Sequence, residues 1–149
     1  VEPYNATSFS EWVDLGEAPA LPESLKLYKK LLSLGVKIVF LTGRPLDQKD
    51  ITAQNLKLAG YHTWTKLIVK SVSSYLFYKT KPTYYSTYTK DPSIYHGKTA
   101  VTYKSAERKK VEESGYRIIG NIGDQWSDIL GTNTGLRTFK LPDPLYYIS

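Results

Sequence analysis

Apolar residues recur along this chain at two spacings, one typical of amphipathic helices and the other of buried strands. Residues 8–15 form a short amphipathic segment, and residues 22–34 form a predicted helix that Pro22 begins and Gly35 ends. One face of that helix carries Leu21, Leu25, Tyr28 and Leu32. The mostly apolar, β-branched run at residues 36–41 predicts a strand that is buried on both faces, as in parallel sheets.

The alternation of helix and strand continues to the end of the chain. Thr42-Gly43-Arg44-Pro45 is predicted to be a turn. The remaining predicted helices cover residues 46–59 and 104–114, and the remaining strands cover residues 66–70, 117–122 and 137–141. This order predicts an α/β fold with a parallel sheet. The tyrosine-rich stretch at residues 71–102 is too long for a simple connection, and it predicts either a surface insertion or a small cap.

Length and composition narrow the classes of protein and partner. The 149 residues correspond to one domain, so we predict a single domain over residues 1–149. The chain has no cysteine, which excludes disulfides, cysteine zinc sites and cysteine nucleophiles. No apolar run is long enough to span a membrane, so no membrane partner is expected.

The net charge of +6 is compatible with binding to an acidic partner such as nucleic acid, an anionic membrane or a phosphorylated substrate. Basic residues are spread along the chain, and the densest cluster, Arg108-Lys109-Lys110, alternates with glutamates. That pattern is typical of an exposed helix face. We find no signature of nucleic-acid recognition, and no nucleic-acid partner is expected.

Residues suited to phosphate chemistry follow two of the predicted strands, at the edge where open α/β sheets bind ligands. The Thr42 hydroxyl and the backbone at Gly43 can approach a phosphate oxygen, and Lys104 can neutralise phosphate charge. Asp124 and Asp128 are four residues apart, a spacing that places two hard oxygen donors on one side of a helical turn and suits Mg²⁺. Taken singly, each feature is also typical of a turn, a helix cap or an exposed lysine.

Taken together, these motifs resemble the haloacid-dehalogenase (HAD) superfamily, and within it the class B acid phosphatases and plant vegetative storage proteins. The resemblance implies a Rossmannoid parallel sheet between helices. It implies that Thr42, Gly43, Arg44 and Lys104 bind phosphate, with Thr42 and Lys104 in catalytic roles. It implies that Asp124 and Asp128 hold Mg²⁺, and that the substrates are phosphomonoesters hydrolysed through an aspartyl-phosphate. It also suggests homodimers.

One motif of that superfamily is missing from this sequence. The nucleophile lies in an Asp-x-Asp motif on the central first strand, yet no two aspartates here are separated by a single residue. We therefore expect both the nucleophile and its strand to be absent from this chain. Two sheet edges would then be left unpaired, unless another segment takes the place of that strand.

Asn5-Ala6-Thr7 matches the acceptor pattern for N-linked glycans. With the resemblance, an Asn5 glycan favours the secretory pathway and a vacuolar or secreted protein. The leading hypothesis is a vegetative storage glycoprotein that is inactive or very weak as this chain. One alternative is a Mg²⁺-dependent acid phosphatase whose nucleophile strand is not included here. Another is a carbohydrate- or partner-binding protein that uses the tyrosine-rich stretch.

Overall fold

The computed structural model describes residues 2–70 and 99–147. They belong to two compact units. The amino-terminal unit holds residues 5–70 of the described chain, and the carboxy-terminal unit holds residues 2–4 and 99–147. The single domain over residues 1–149 stays a prediction. An insertion or cap was predicted at residues 71–102, and residues 71–98 of that stretch lie outside the described residues.

Helices and strands alternate along the described chain. In chain order they are β1 (Glu2–Pro3), α1 (Ala6–Leu15), α2 (Pro22–Ser33), β2 (Val39–Pro45), a 3₁₀ turn (Leu46–Gln48), α3 (Lys49–Leu58), β3 (Lys66–Lys70), α4 (Ala100–Glu113), β4 (Asn121–Gly123), α5 (Trp126–Ile129), β5 (Thr138–Lys140) and β6 (Tyr146–Tyr147). The predicted helices are confirmed, although the helix predicted at residues 46–59 divides into the 3₁₀ turn and α3. Such a turn is common at the start of a helix.

An aromatic cluster forms the core of the amino-terminal unit. Tyr28 is buried on α2, as its place on the apolar face predicts, and its ring packs against Phe40 and Tyr61. The Tyr28 hydroxyl donates to the Thr63 carbonyl at 2.5 Å and accepts from the Thr63 N–H at 2.9 Å. Burial and the neighbouring Tyr28 raise the pKa of Tyr61. The cluster therefore fixes α2 against the strand that leads to Thr42.

Strand β2 corrects two predictions. It begins at Val39 and continues through Thr42-Gly43-Arg44-Pro45, which was predicted to be a turn. The reason is its parallel pairing with β3, which runs from Val39↔Lys66 to Pro45↔Lys70 with a register irregularity after Leu41. The prediction of a strand buried on both faces is also wrong, since no β2 residue is buried. In the described part of the chain, β2 pairs with β3 alone.

The carboxy-terminal unit contains two further parallel pairs, β4 with β5 and β1 with β6. Helix α4 begins at Ala100, four residues before the predicted start, because the Thr99 side chain caps it by accepting from the Thr102 N–H. Residues 100–102 therefore belong to this helix and not to an insertion. Strand β4 is shorter than the predicted strand at residues 117–122.

Parallel pairing in all the described strand pairs confirms the prediction of an α/β fold with parallel strands. In the carboxy-terminal unit, α4 contributes the buried apolar residues Tyr103 and Val111. None of the helices within residues 2–70 and 99–147 combines the length and apolar character needed to cross a membrane.

Candidate functional site

One face of α4 carries charged residues at intervals of four, Lys104, Arg108 and Glu112. Residues at this spacing lie above one another on a helix. Lys104 and Arg108 are only 6% and 5% exposed, which is unusual for cations unless they have partners. Their partners lie in residues 124–133, named here the aspartate loop, which follows β4 and contains α5.

Lys104 forms a buried ion pair with Asp128. Its Nζ donates to Asp128 Oδ1 at 2.5 Å and to Ser127 Oγ at 3.0 Å. The two charged side chains are 7% and 14% exposed. A pair this buried is costly to break from one side, because the remaining charge loses its partner and has little access to water.

The second oxygen of Asp128 is also engaged. Asp128 Oδ2 accepts from the Gln125 N–H at 2.9 Å, and the Gln125 side chain completes a capping box at the start of α5. Gly123, the last residue of β4, allows this arrangement, since a Cβ there would collide with the Asp128 side chain. Both Asp128 oxygens are therefore used within the carboxy-terminal unit.

Asp124 has a different environment from Asp128. Burial raises its pKa, the charge of Asp128 raises it further, and a smaller rise comes from Asp143. The residue's own backbone hydrogen bond and the charge of Lys104 lower it. Among the described residues, no other residue donates a hydrogen bond to the Asp124 carboxylate. The neighbouring carboxylates therefore raise the pKa of Asp124 by more than Lys104 lowers it.

The donor set at Asp124 is compatible with Mg²⁺, which binds through one or two carboxylates and retains water or phosphate ligands. Asp124 supplies a carboxylate that other described residues do not engage, beside the negative charge of Asp128. Across residues 2–70 and 99–147, no group of three or more acidic or histidine side chains converges as a complete metal site.

Arg108 was predicted to lie on an exposed helix face, and that prediction is wrong. Its guanidinium donates to the carbonyls of Asp128 and Leu130 at 2.7 Å each and of Thr132 at 3.0 Å. Burial lowers its pKa, and the charge of Asp128 partly offsets this effect. The neighbouring Lys109 and Lys110 are exposed, as predicted, and each pairs with a glutamate of α4.

Residues 143–146, near the carboxy terminus, lie against the aspartate loop. The Gln125 side-chain amide donates to Asp143, whose other oxygen accepts from the Leu145 N–H at 3.1 Å. Burial raises the pKa of Tyr146 to about 12, and the charges of Asp124 and Asp143 contribute. The Tyr146 phenol therefore lies close enough to Asp124 to feel its charge. Sequence reasoning missed Gln125, Asp143 and Tyr146, because their contacts with one another and with Asp124 form only in the folded chain.

The other predicted phosphate-binding residues lie in the amino-terminal unit. Thr42 Oγ1 accepts from the Arg44 N–H at 3.2 Å. The Arg44 guanidinium lies 5.8 and 5.9 Å from the ring centroids of Phe9 and Trp12, and it donates to a threonine of α3. No described atom lies within 4 Å of a Cβ built on Gly43. The convergence of Thr42 with Lys104 and Asp124 stays a prediction.

Asn5 of the predicted glycan acceptor is the N-cap of α1. Its side-chain Oδ1 accepts from the backbone N–H groups of Thr7 at 3.0 Å and Ser8 at 3.1 Å. The residue is exposed. A glycan would be attached through the amide nitrogen, which is not the atom that caps the helix.

Residues 1–84 and 82–149 match the family described as HAD superfamily, subfamily IIIB (acid phosphatase). The chain belongs to this family. It is 53% identical over 149 residues to a stem 28 kDa glycoprotein of Glycine max, an alignment that covers 99% of this chain and 51% of that protein. It is 44% identical over 148 residues to acid phosphatase 1 of Solanum lycopersicum, covering 99% and 50% of the two chains.

A more distant relative is vegetative storage protein 1 of Arabidopsis thaliana, 37% identical over 142 residues, with 95% of this chain and 44% of that protein covered. The chain therefore spans about half the length of the curated relatives that it matches. The resemblance inferred from the motifs at Thr42, Lys104 and Asp124 is confirmed at the level of the family.

Proposed function

We propose that the protein is a vegetative-storage-type glycoprotein that keeps part of an acid phosphatase site. The names of its relatives support this proposal, since they include stem glycoproteins, vegetative storage proteins and an acid phosphatase. The observation that carries it is the buried Lys104–Asp128 pair beside Asp124. These three side chains are the ones that the motifs assign to such a site, and they lie together in the carboxy-terminal unit.

Each residue of the site has a proposed role. Asp124 holds Mg²⁺, with the negative charge of Asp128 beside it, and Mg²⁺ when bound supplies positive charge toward a phosphoryl group. Lys104 fixes Asp128 through its short contact and adds a cation next to the same group. Thr42 and the backbone at Gly43 bind phosphate oxygens.

Arg44 is proposed to contribute to phosphate binding indirectly, because its N–H donates to Thr42 Oγ1. Its guanidinium is held by the aromatic rings of α1 and by α3. It therefore supports the strand that carries Thr42, which places Arg44 in the phosphate-binding set as a supporting residue.

This sequence contains no Asp-x-Asp motif, and we propose that a nucleophile of that type, where the protein has one, lies in another part of the full-length protein. We propose a further parallel strand beside β4 in the full-length protein, as the central strand of a HAD-like sheet. Strand β4 pairs with β5 on one side in the described part of the chain. A strand on its other side would end next to Asp124, since the carboxyl ends of parallel strands share one edge.

Hydrolysis of p-nitrophenyl phosphate at mildly acidic pH tests this function. We expect no Mg²⁺-dependent turnover by the 149-residue chain alone, and weak Mg²⁺-dependent turnover by the full-length protein. Turnover by the full-length protein in the usual enzyme range, from about 1 s⁻¹ upward, would favour a working acid phosphatase instead. In either case Asp124→Asn should abolish the Mg²⁺-dependent part. Turnover that survives this substitution would refute the assigned site.

The working acid phosphatase is the second candidate, and the similarity to acid phosphatase 1 of Solanum lycopersicum supports it. Glycosylation is proposed at Asn5, which is exposed. With the glycoprotein relatives, this supports a secretory route to the vacuole or the cell exterior. A homodimer is proposed from the family alone.

A further inference from the structure

The aspartate loop is held by its backbone as well as by its side chains. Helix α5 has only four residues, so nearly all of its carbonyls lack partners within the helix. The Asp128 carbonyl accepts from the Arg108 guanidinium and from the Asn121 side-chain amide. Arg108 also binds the carbonyls of Leu130 and Thr132. One buried side chain therefore serves three carbonyls of the loop.

Arginine suits this position better than any other residue. Its guanidinium has five N–H donors in a rigid planar arrangement, whereas a lysine ammonium is a compact point charge on a flexible stem. A cation is also favoured at the end of a helix where unpaired carbonyls collect. Arg108 also donates to Ser105 Oγ at 3.2 Å, and that oxygen accepts from the Thr132 N–H at 3.1 Å.

Two other contacts show how closely α4 follows this loop. Gly131 has a φ of +89°, and a Cβ there would collide with the Ser105 hydroxyl. Asn133 has a φ of +57°, a conformation that asparagine tolerates, and its amide donates to Glu112 Oε2 at 2.6 Å. Three successive turns of α4 thus contact the loop, and Arg108 occupies the middle one.

We propose that Arg108 is a positioning residue for the candidate Mg²⁺ site. It fixes the backbone of Asp128, whose side chain binds the Gln125 N–H next to Asp124. Loss of the guanidinium releases three carbonyls and allows Asp128 to move away from Lys104 and Gln125. The proposal rests on the function proposed above, because it assumes that Asp124 binds Mg²⁺.

The test compares three variants of the full-length protein. Arg108→Lys keeps the charge and removes the planar set of donors. Val111→Ala removes buried apolar volume from the same helix and controls for general destabilisation. Lys109→Gln removes an exposed charge that is adjacent in sequence. Mg²⁺ affinity is measured by calorimetry with the metal alone, backbone hydrogen exchange is followed across residues 124–133, and turnover of p-nitrophenyl phosphate is measured at saturating Mg²⁺.

Arg108→Lys should lower Mg²⁺ affinity by about 10–100-fold, the usual effect of removing a group that orients metal ligands. It should speed hydrogen exchange in the aspartate loop and lower kcat, with KM for the substrate changed by less than about 3-fold, because the Arg108 partners within residues 2–70 and 99–147 are carbonyls and Ser105. Val111→Ala and Lys109→Gln should keep the wild-type Mg²⁺ affinity.

Equal Mg²⁺ affinities for Arg108→Lys and wild type would overturn the positioning role while leaving the proposed function intact. Equal losses for Arg108→Lys and Val111→Ala would overturn it as well, because general destabilisation would then explain both. A wild-type protein that binds no Mg²⁺ would refute the proposed function, and the role of Arg108 would fail with it.

Discussion

Two aspartates four residues apart should respond to the same substitution with opposite changes in stability. Asp128→Asn removes the carboxylate that pairs with Lys104 in the described part of the chain, and the Lys104 side chain is 7% exposed. Breaking a buried ion pair from one side costs about 3–5 kcal/mol of unfolding free energy. An asparagine oxygen can still accept from the Gln125 N–H, so the helix cap is kept and the loss reports mainly on the charge.

Asp124→Asn should instead stabilise the metal-free protein at neutral pH. Burial and neighbouring carboxylates raise the pKa of Asp124 in the folded state above its ordinary value of 3.8. The folded state therefore binds this proton more tightly than the unfolded state does, and the associated stability is lost as pH rises through the folded-state pKa. Asp124→Asn should therefore have a higher free energy of unfolding than wild type at pH 7, and this difference should vanish below pH 3.8, the ordinary pKa of aspartate.

Urea unfolding of the full-length protein with a chelator present measures both effects, and equal m-values show that the same transition is compared. The expected order of stability at pH 7 is Asp124→Asn above wild type, and wild type well above Asp128→Asn. A loss of less than about 1 kcal/mol for Asp128→Asn would contradict the buried pair and place it among exposed ion pairs. A loss for Asp124→Asn equal to that for Asp128→Asn would contradict the different environments assigned to the two carboxylates.

Three further outcomes are expected. Arg44→Lys should cost about 0.5–1 kcal/mol in urea unfolding through weaker contact with Trp12 and the neighbouring ring, and an unchanged midpoint would argue against that packing. Asn5→Ala should remove both the glycan and the helix cap and cost about 0.5–2 kcal/mol, whereas Thr7→Ala should remove only the glycan. Mass spectrometry detects the glycan, and urea unfolding of deglycosylated samples measures the cap. Equal stabilities of the two deglycosylated variants would exclude the cap. Gly123→Ala should destabilise by about 1–3 kcal/mol, because a Cβ there collides with the aspartate loop, and a neutral result would contradict that close approach.

The sequence predicted the order of helices and strands well, because apolar periodicity and helix-ending glycines are local signals. Pro22 begins α2, and β3 has the predicted bounds of residues 66–70. The failures involve tertiary contacts. Thr42 to Pro45 contains residues typical of turns, yet pairing with β3 extends the strand through them. The start of α4 was missed because the cap is Thr99, within a stretch whose composition indicated an insertion.

In the candidate site, too, the residues of local motifs were predicted and those that depend on tertiary contacts were not. Lys104, Asp124 and Asp128 were identified from motif order, and the carboxy-terminal unit brings these three together. Gln125 and Asp143 were not identified, since they interact across 18 residues through a contact that no local pattern encodes.

Arg108 shows why charge patterning alone cannot separate structural cations from solvated ones. Arg108, Lys109 and Lys110 are adjacent in sequence, but successive residues on a helix point about 100° apart, so at most one of them shares the face of Lys104. That residue is Arg108, four positions after Lys104, and it is buried while its neighbours are exposed. The four-residue spacing from Lys104 would therefore have predicted that Arg108 is buried, whereas the composition of the basic cluster does not. The same spacing leads on to Glu112, which binds Asn133 at the far end of the aspartate loop.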